Sequence, residues 1–305
     1  MISVIMSTYK EDVDILRLAI ESILNQTFRD FEFIIVLDNP KNKEHLQCLL
    51  QYEKEDCRVH FYVNAENKGL VASLNKALSL CKGDIIARMD ADDIALPNRL
   101  EMEYDYMISN DLDMVGGLMV MIDEKGNTIY SISKVPANPN KIKKALQFGQ
   151  CLAHPTWMVK KKVYDHLNGY RNIPLCEDYD FTLRAALNGY KLSNVNQPVL
   201  KYRMSKNSIS RSNLYAQYLY MKYITKQYRC GIIADVDQAN QYVKQCDKEG
   251  PSKRYLQANV RFNAALQNMT DKRWLQFLKN GICLTFSSVN YLNKLYRFIR
   301  LSLYS

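Results

Sequence analysis

The stretch IIARMDADDIALPNRL, residues 85–100, places Asp90, Asp92 and Asp93 directly after the apolar run Ile85, Ile86, Ala87. Such a segment belongs at the carboxyl edge of a buried parallel strand, where the chain emerges from an apolar layer. The residues before it repeat the arrangement three times. ISVIMS leads into a helix-spaced series, Val13, Leu16, Ala19, Ile20, Ile23 and Leu24, with Asp12 or Asp14 placed to cap it. FEFIIVLD (31–38), a polar helix around 42–55, RVHFYVN (58–64) and a helix from about Leu70 to Cys81 complete a β-α-β-α-β-α-β series. This alternation predicts a parallel sheet covered by helices on both faces. Its four polar strand ends, Ser7 to Tyr9, Asp38-Asn39, Asn64 to Gly69 and Asp90 to Asp93, should meet at one rim.

Beyond the aspartates the pattern changes. DMVGGLMVMID and TIYSIS flank EKGN as a hairpin, NKIKKALQF reads as a helix, and TWMVKKKVYDHL as a strand running into a helix. EDYDFTLRAALNGY is a helix closed by Gly189, and QPVLKYRMS a last strand. From Asn213 the pattern is helical: LYAQYLYMKYITKQY, DVDQANQYVKQC, KRYLQANVRFNAAL, WLQFLKNGI and the aromatic, basic VNYLNKLYRFIRLSLYS.

The chain has 305 residues, 47% hydrophobic and 24% charged, enough for one large α/β unit or a smaller one with an appendage. Its eight cysteines show no CxxC pair or metal-ligand spacing, which points to reduced thiols in a cytosolic protein. The N-terminus reads as a first strand and not as a signal peptide, and no run of about 18 apolar residues predicts a membrane span. A cytoplasmic location follows as the expectation. Charge is uneven: from Arg211 onward 15 Lys/Arg face 5 Asp/Glu, so this part carries +10 of the net +9. A basic stretch of this kind is either a solvated face or a surface for an anionic membrane. No nucleic-acid recognition motif accompanies the charge, and nucleic acid is not expected as a partner.

Three neighbouring carboxylates repel one another unless a cation or hydrogen-bond donors compensate. A divalent metal, Mn²⁺ or Mg²⁺, is the simplest compensation, with open coordination places for diphosphate oxygens. The other reading is a helix cap ahead of Pro97. A second carboxylate pair, Glu177-Asp178, opens a helix, where acidic residues also complement the helix dipole.

STYKED, LDNP, NKGLVASLN, MDADD followed by PNRL, HPTWMV and CEDYDF occur in this order on these elements, and together they resemble the family 2, GT-A fold glycosyltransferases, of the bacterial surface-polysaccharide type. The resemblance covers roughly residues 1–210. It implies a Rossmann-like, mostly parallel central sheet with helices on both faces, which the helical pattern and positive charge beyond it extend by a basic α-helical region over 211–305. Within it, about 1–112 would form the nucleotide-sugar half and about 113–210 the acceptor half. It further implies that Thr8, Tyr9 and Glu11 wall a nucleotide pocket, that Asp38 bonds the base, usually uracil, and that Lys68 and Gly69 lie near the nucleotide or its phosphates. Asp90 would contact the ribose or donor sugar and Asp92 the metal, with Asp93 a cap or a supporting partner. Asp178 would be the base that deprotonates the acceptor, with Glu177, His154 and Trp157 on the acceptor side, although Trp157 equally suits a core and His154 a structural role.

The reaction the resemblance implies is a single displacement with inversion, from a nucleotide-sugar, with a UDP-sugar the expected donor, to a saccharide or lipid-linked acceptor. Where relatives often carry a His after the last strand, this chain has Ser205; Lys206 or Arg211 is available to supply positive charge. The tail, with Tyr291, Leu292, Leu295, Tyr296, Phe298, Ile299 and Leu303 among Lys294, Arg297 and Arg300, suits an interfacial helix on the inner face of a membrane, or packing against the catalytic part or a dimer partner. Two other functions compete: a nucleotidyltransferase, which would need a Gly-rich or basic triphosphate loop that STYKED does not offer, and a non-catalytic scaffold, against which Asp92 and Asp178 argue.

Overall fold

Strands β1 (Ile2–Thr8), β2 (Phe31–Leu37), β3 (Val59–Val63) and β4 (Ile85–Asp90) run parallel in the order β3-β2-β1-β4. The computed structural model describes residues 1–204, 213–270, 273, 276 and 288–305. Ser205, Lys206 and Arg211 lie outside them, as does the expected helix WLQFLKNGI apart from Gln276. Helices α1 (Val13–Leu24), α2 (Lys43–Glu55) and α3 (Leu70–Leu80) make the crossovers. Asp12 caps α1 by accepting from Asp14 N at 2.9 Å. Register brings the strand ends level: Thr8 lies opposite Leu37, Leu37 opposite Val63, and Ser7 opposite Asp90. The single polar rim expected from the sequence is therefore present.

The sheet continues as β4-β8-β6-β9-β5 and becomes mixed. Here β5 is Ile94–Ala95, β6 Met114–Ile122, β8 Met158–Lys160 and β9 Leu192–Arg203. Strand β8 is antiparallel to both β4 and β6, β5 is antiparallel to β9, and β6 and β9 are parallel. The expected hairpin forms between β6 and β7 (Thr128–Ser131), where Asp123 Oδ1 accepts from Lys125 N and Asn127 N. Gly116 and Gly117 allow β9 to approach β6 closely, since a Cβ on Gly117 would overlap Val199 and one on Gly116 would lie 2.6 Å from Asn194 Oδ1. Helix α4 (Arg99–Ser109) begins two residues after Pro97 with Asn98 at its cap position. Asp93 is too far from that helix to cap it, and accepts instead from Arg203 N at 2.8 Å. The capping role is corrected by this contact.

Both sheet faces are buried, as the unbroken apolar strands require. Val4, Met6, Phe33, Ile35, Ala87 and Met89 face the layer under α1, α2 and α4, while Ile5, Ile34, Val36 and Ile86 face the other. That second layer also holds Trp157 and residues of α5 (Pro139–Ala145), α6 (Lys161–His166) and α7 (Glu177–Leu187). It runs without a break into α8 (Leu214–Arg229), α9 (Val236–Cys246), α10 (Glu249–Thr270) and α11 (Val289–Ser302) through Tyr215, Tyr218, Ile224, Tyr255 and Tyr291. Buried Arg297 fastens α11 to the α/β part by donating to Phe148 O at 3.0 Å, and to α8 by donating to Thr225 Oγ1 at 2.9 Å. The opposite side of α11 leaves Phe298, Ile299 and Leu303 exposed. No helix among the described residues is long and apolar enough to cross a membrane.

Candidate functional site

The first wall of the rim is a loop organised by Glu11. Its Oε2 accepts from Thr8 Oγ1 at 2.7 Å, Tyr9 N at 2.7 Å and Lys10 N at 3.1 Å, folding the chain back as β1 ends. His45 braces this turn through Thr8 Oγ1 and the Glu11 carbonyl. The Tyr9 ring is exposed beside it. Buried Asp38 shapes the adjoining wall: Oδ1 accepts from Asn64 Nδ2 at 2.7 Å and Lys68 N at 2.9 Å, and Oδ2 from Gly69 N at 2.8 Å. The loop can bend onto Asp38 because Gly69 adopts φ +81°, a region that costs little without a Cβ. The Lys68 side chain stands exposed at this edge.

The second element is the end of β4. Oxygens of Asp90, Asp92 and Asp93 lie within 4.8 Å of one another. Arg88, only 3% exposed, forms an ion pair with Asp90, and its Nε has no partner. The sequence reading overlooked this residue, although a charge inside the apolar run IIARM was the signal. Arg203, at the end of β9, donates through its backbone to Asp93 and through Nε to the Asp92 carbonyl at 2.9 Å, pinning the turn. Burial pushes the Asp92 carboxyl up to about 7, with repulsion from Asp90 and Glu11 adding to it. Burial, Asp90 and Asp92 together raise Asp93 well above the usual carboxylate range, and its Oδ2 has no partner. An under-compensated set of hard oxygen donors with an orphaned buried oxygen suits a divalent cation.

The third element is the start of α7. Leu175 takes φ +64°, strained for a side chain of this size, just before Cys176, Glu177 and Asp178. Gln217 of α8 holds that turn by donating to Leu175 O at 3.1 Å, while its carbonyl accepts from Cys176 Sγ. Asp178 accepts from Tyr179 N at 2.7 Å and from Gln150 Nε2 at 3.5 Å, and Gln150 Oε1 accepts in turn from Thr182. Gln150 is a second residue that the sequence does not single out, and unlike Arg88 it carries no local signal. Burial raises the Asp178 carboxyl, and burial with repulsion from Asp178 raises Glu177 to about 7. The fields of Arg88 and Asp90 both act on Glu177, and that of Arg88 on Asp178, so the β4 end and the α7 start share one electrostatic site. Asp180, in the same acidic run, is instead buried between Arg171 and Arg184.

His154 is half-buried beside this site. Its Nε2 lies 2.9 Å from Tyr170 Oη, and burial, with Arg88 nearby, holds the ring well below its usual pKa and therefore neutral. Trp157 does not reach the acceptor side. Its side chain is 0% exposed, its Nε1 donates to Leu152 O at 3.2 Å, and it packs among His154, Tyr170 and Phe181. The acceptor-side expectation for Trp157 is corrected on this ground. β8 draws it inward: Arg88 N donates to Trp157 O, and Met158 pairs with Ala87.

The family model Glycosyl transferase family 2 matches residues 3–167. The O-antigen biosynthesis glycosyltransferase WbnJ of Escherichia coli is 44% identical over 219 residues, 70% of this chain and 84% of that protein. An uncharacterized glycosyltransferase of Methanocaldococcus jannaschii is 40% identical over 227 residues, 74% and 78% respectively. Among solved structures, residues 1–349 of S. aureus TarS in complex with UDP-GlcNAc match with a TM-score of 0.61 at 18% identity, covering 79% of this chain and 70% of that one. The fold is thus GT-A, with additional helices at the C-terminus. A domain match over more than half of the chain, joined by the identity to WbnJ, makes this protein a member of glycosyl transferase family 2.

Proposed function

We propose that the chain is a metal-dependent, inverting glycosyltransferase that moves a hexosyl or N-acetylhexosaminyl group from a UDP-sugar to a saccharide or lipid-linked saccharide acceptor in surface polysaccharide biosynthesis. The observation that carries this reading is the cluster of Asp90, Asp92 and Asp93 at the end of β4, their oxygens within 4.8 Å of one another, with the orphaned Asp93 Oδ2 among them. Thr8, Tyr9, Glu11, Asp38, Lys68 and Gly69 form the nucleotide side, in keeping with the UDP-GlcNAc bound in TarS. Asp90, oriented by Arg88, faces the ribose or donor sugar, and Asp92 is the principal metal ligand with Asp93 supporting the turn. Mn²⁺ or Mg²⁺ held there supplies charge neutralisation for the departing diphosphate.

Asp178 accepts the proton of the acceptor hydroxyl as that oxygen forms its bond to C1. The bond from C1 to the diphosphate oxygen breaks, and its electron pair leaves with the nucleoside diphosphate. Entry opposite to departure inverts C1. Glu177, raised towards neutrality, and neutral His154 are available to hydrogen-bond acceptor hydroxyls without adding charge beside the base. The catalytic unit spans about 1–210, donor side to about 112, with 211–305 as the helical region. The exposed Phe298, Ile299 and Leu303 and the basic charge of that region support attachment to an anionic membrane surface on the cytoplasmic side.

Asp178→Asn tests the base directly. Transfer should fall by about 10² to 10⁴ while UDP-sugar binding, measured by calorimetry, stays within about twofold. Equal loss of binding and fold would remove the assignment.

A further inference from the structure

The C-terminal helices border an open cavity of about 490 Å³, within the size range of small-ligand sites. Three cations line it: half-buried Lys222 on α8, exposed Lys248 between α9 and α10, and exposed Arg254 on α10. Among the described residues no carboxylate lines it. Asp247, next to Lys248 in the chain, lies outside the lining, although its field reaches Tyr215 and Tyr220. None of the three cations is in an ion pair between described residues, whereas Lys160, Lys161 and Lys191 of the α/β part all pair with aspartates. Converging positive charges repel unless an anion lies between them. The remaining wall is aromatic and polar, with Tyr215, Tyr242, Gln245 and Asn290. Asn290 Nδ2 donates to Tyr215 Oη at 3.0 Å. Rings and amides of this kind suit a sugar, and the cations suit its phosphate.

We propose that this cavity binds a phosphate- or diphosphate-bearing saccharide at a site separate from the donor rim. The ligand is either a soluble sugar phosphate or the headgroup of a lipid carrying the same group. Cys246 lines the cavity and is partly exposed, so its alkylation reports occupancy. The experiment follows N-ethylmaleimide labelling of Cys246 in the full chain by peptide mass spectrometry, with chelator present. The added probes are glucose 1-phosphate, inorganic pyrophosphate or phosphatidylglycerol vesicles. Saturable slowing of Cys246 labelling by about tenfold is expected, with exposed Cys57 and Cys230 unaffected. Protection by the free phosphates identifies the soluble source, and protection by vesicles alone the headgroup. In either case Lys222→Gln combined with Arg254→Gln must abolish the protection, and Lys222→Arg must keep it. The proposal is overturned if no probe slows Cys246, if sodium chloride at equal ionic strength does so equally, or if the double variant stays protected.

Discussion

Arg88→Met removes the cation that pairs with Asp90 and whose field also acts on Glu177 and Asp178. The guanidinium is 3% exposed and its partner Asp90 29% exposed. Breaking a fully buried pair costs about 3–5 kcal/mol, and water reaching Asp90 places this case near about 3 kcal/mol. A domain with about 5–15 kcal/mol of stability survives that loss. The second effect is on proton affinity. At an effective dielectric of about 20, a unit charge several ångströms away contributes about 2–3 kcal/mol, equivalent to about two pKa units. Arg88 lowers the pKa of Asp178 and Glu177, both already raised by burial, so its removal raises them further. The base works deprotonated, and the acid limb of the rate profile therefore moves to higher pH. Relative to the parent, the variant should lose up to about 100-fold in transfer at pH near 6 and much less near 9. Initial rates across this range, with urea unfolding at pH 8, measure both effects. An acid limb at the parent's pH, with stability unchanged within about 0.5 kcal/mol, would refute the role given to Arg88.

Asp92→Asn should abolish metal-dependent turnover and weaken donor binding by tenfold or more, and activity that survives chelator in the parent would sink the metal role. Trp157→Ala should cost about 3–5 kcal/mol through a cavity under β8, seen as a lower unfolding midpoint, while Trp157→Phe leaves the acceptor KM unchanged. Gly69→Ala should lose about 1–2 kcal/mol and raise the donor KM, because the loop on Asp38 needs a left-handed residue; an unaltered KM would count against that loop. Without metal, stability should fall as pH rises from about 4.5 to about 7. Buried Glu103 and half-buried Glu177 are both raised to about 7, so their contribution is complete below the ordinary glutamate pKa and is lost as pH passes through the folded value. Urea midpoints at pH 5 and 8 test the sign.

The repeated strands and helices, the common rim, and the acidic ends of β4 and α7 were legible because each rests on local periodicity or on a cluster of like charges. What escaped depends on contacts between distant segments. Trp157 looks like any aromatic near a loop until three-residue β8 inserts between β4 and β6 and carries it into the core. Asp93 reads as a cap until β9 returns and presents the Arg203 backbone. Gln150 touches Asp178 from 28 residues away, and no spacing rule marks it. The mixed half of the sheet follows from β8 running against its neighbours, a direction that so short an apolar segment does not encode.

The ion pair at the end of β4 also bears on how this strand finds its place. Ile86 lies on one sheet face, and Ala87 and Met89 on the other, so Arg88 and Asp90 alternate with them on the face that carries α7. A slip of β4 by one residue against β1 would drive the guanidinium into the layer now filled by Met89 and separate the acidic turn from its partners. The pairing that serves the site therefore also penalises the wrong alignment during folding, and a neutral residue at position 88 would leave the central strand less certain of its register.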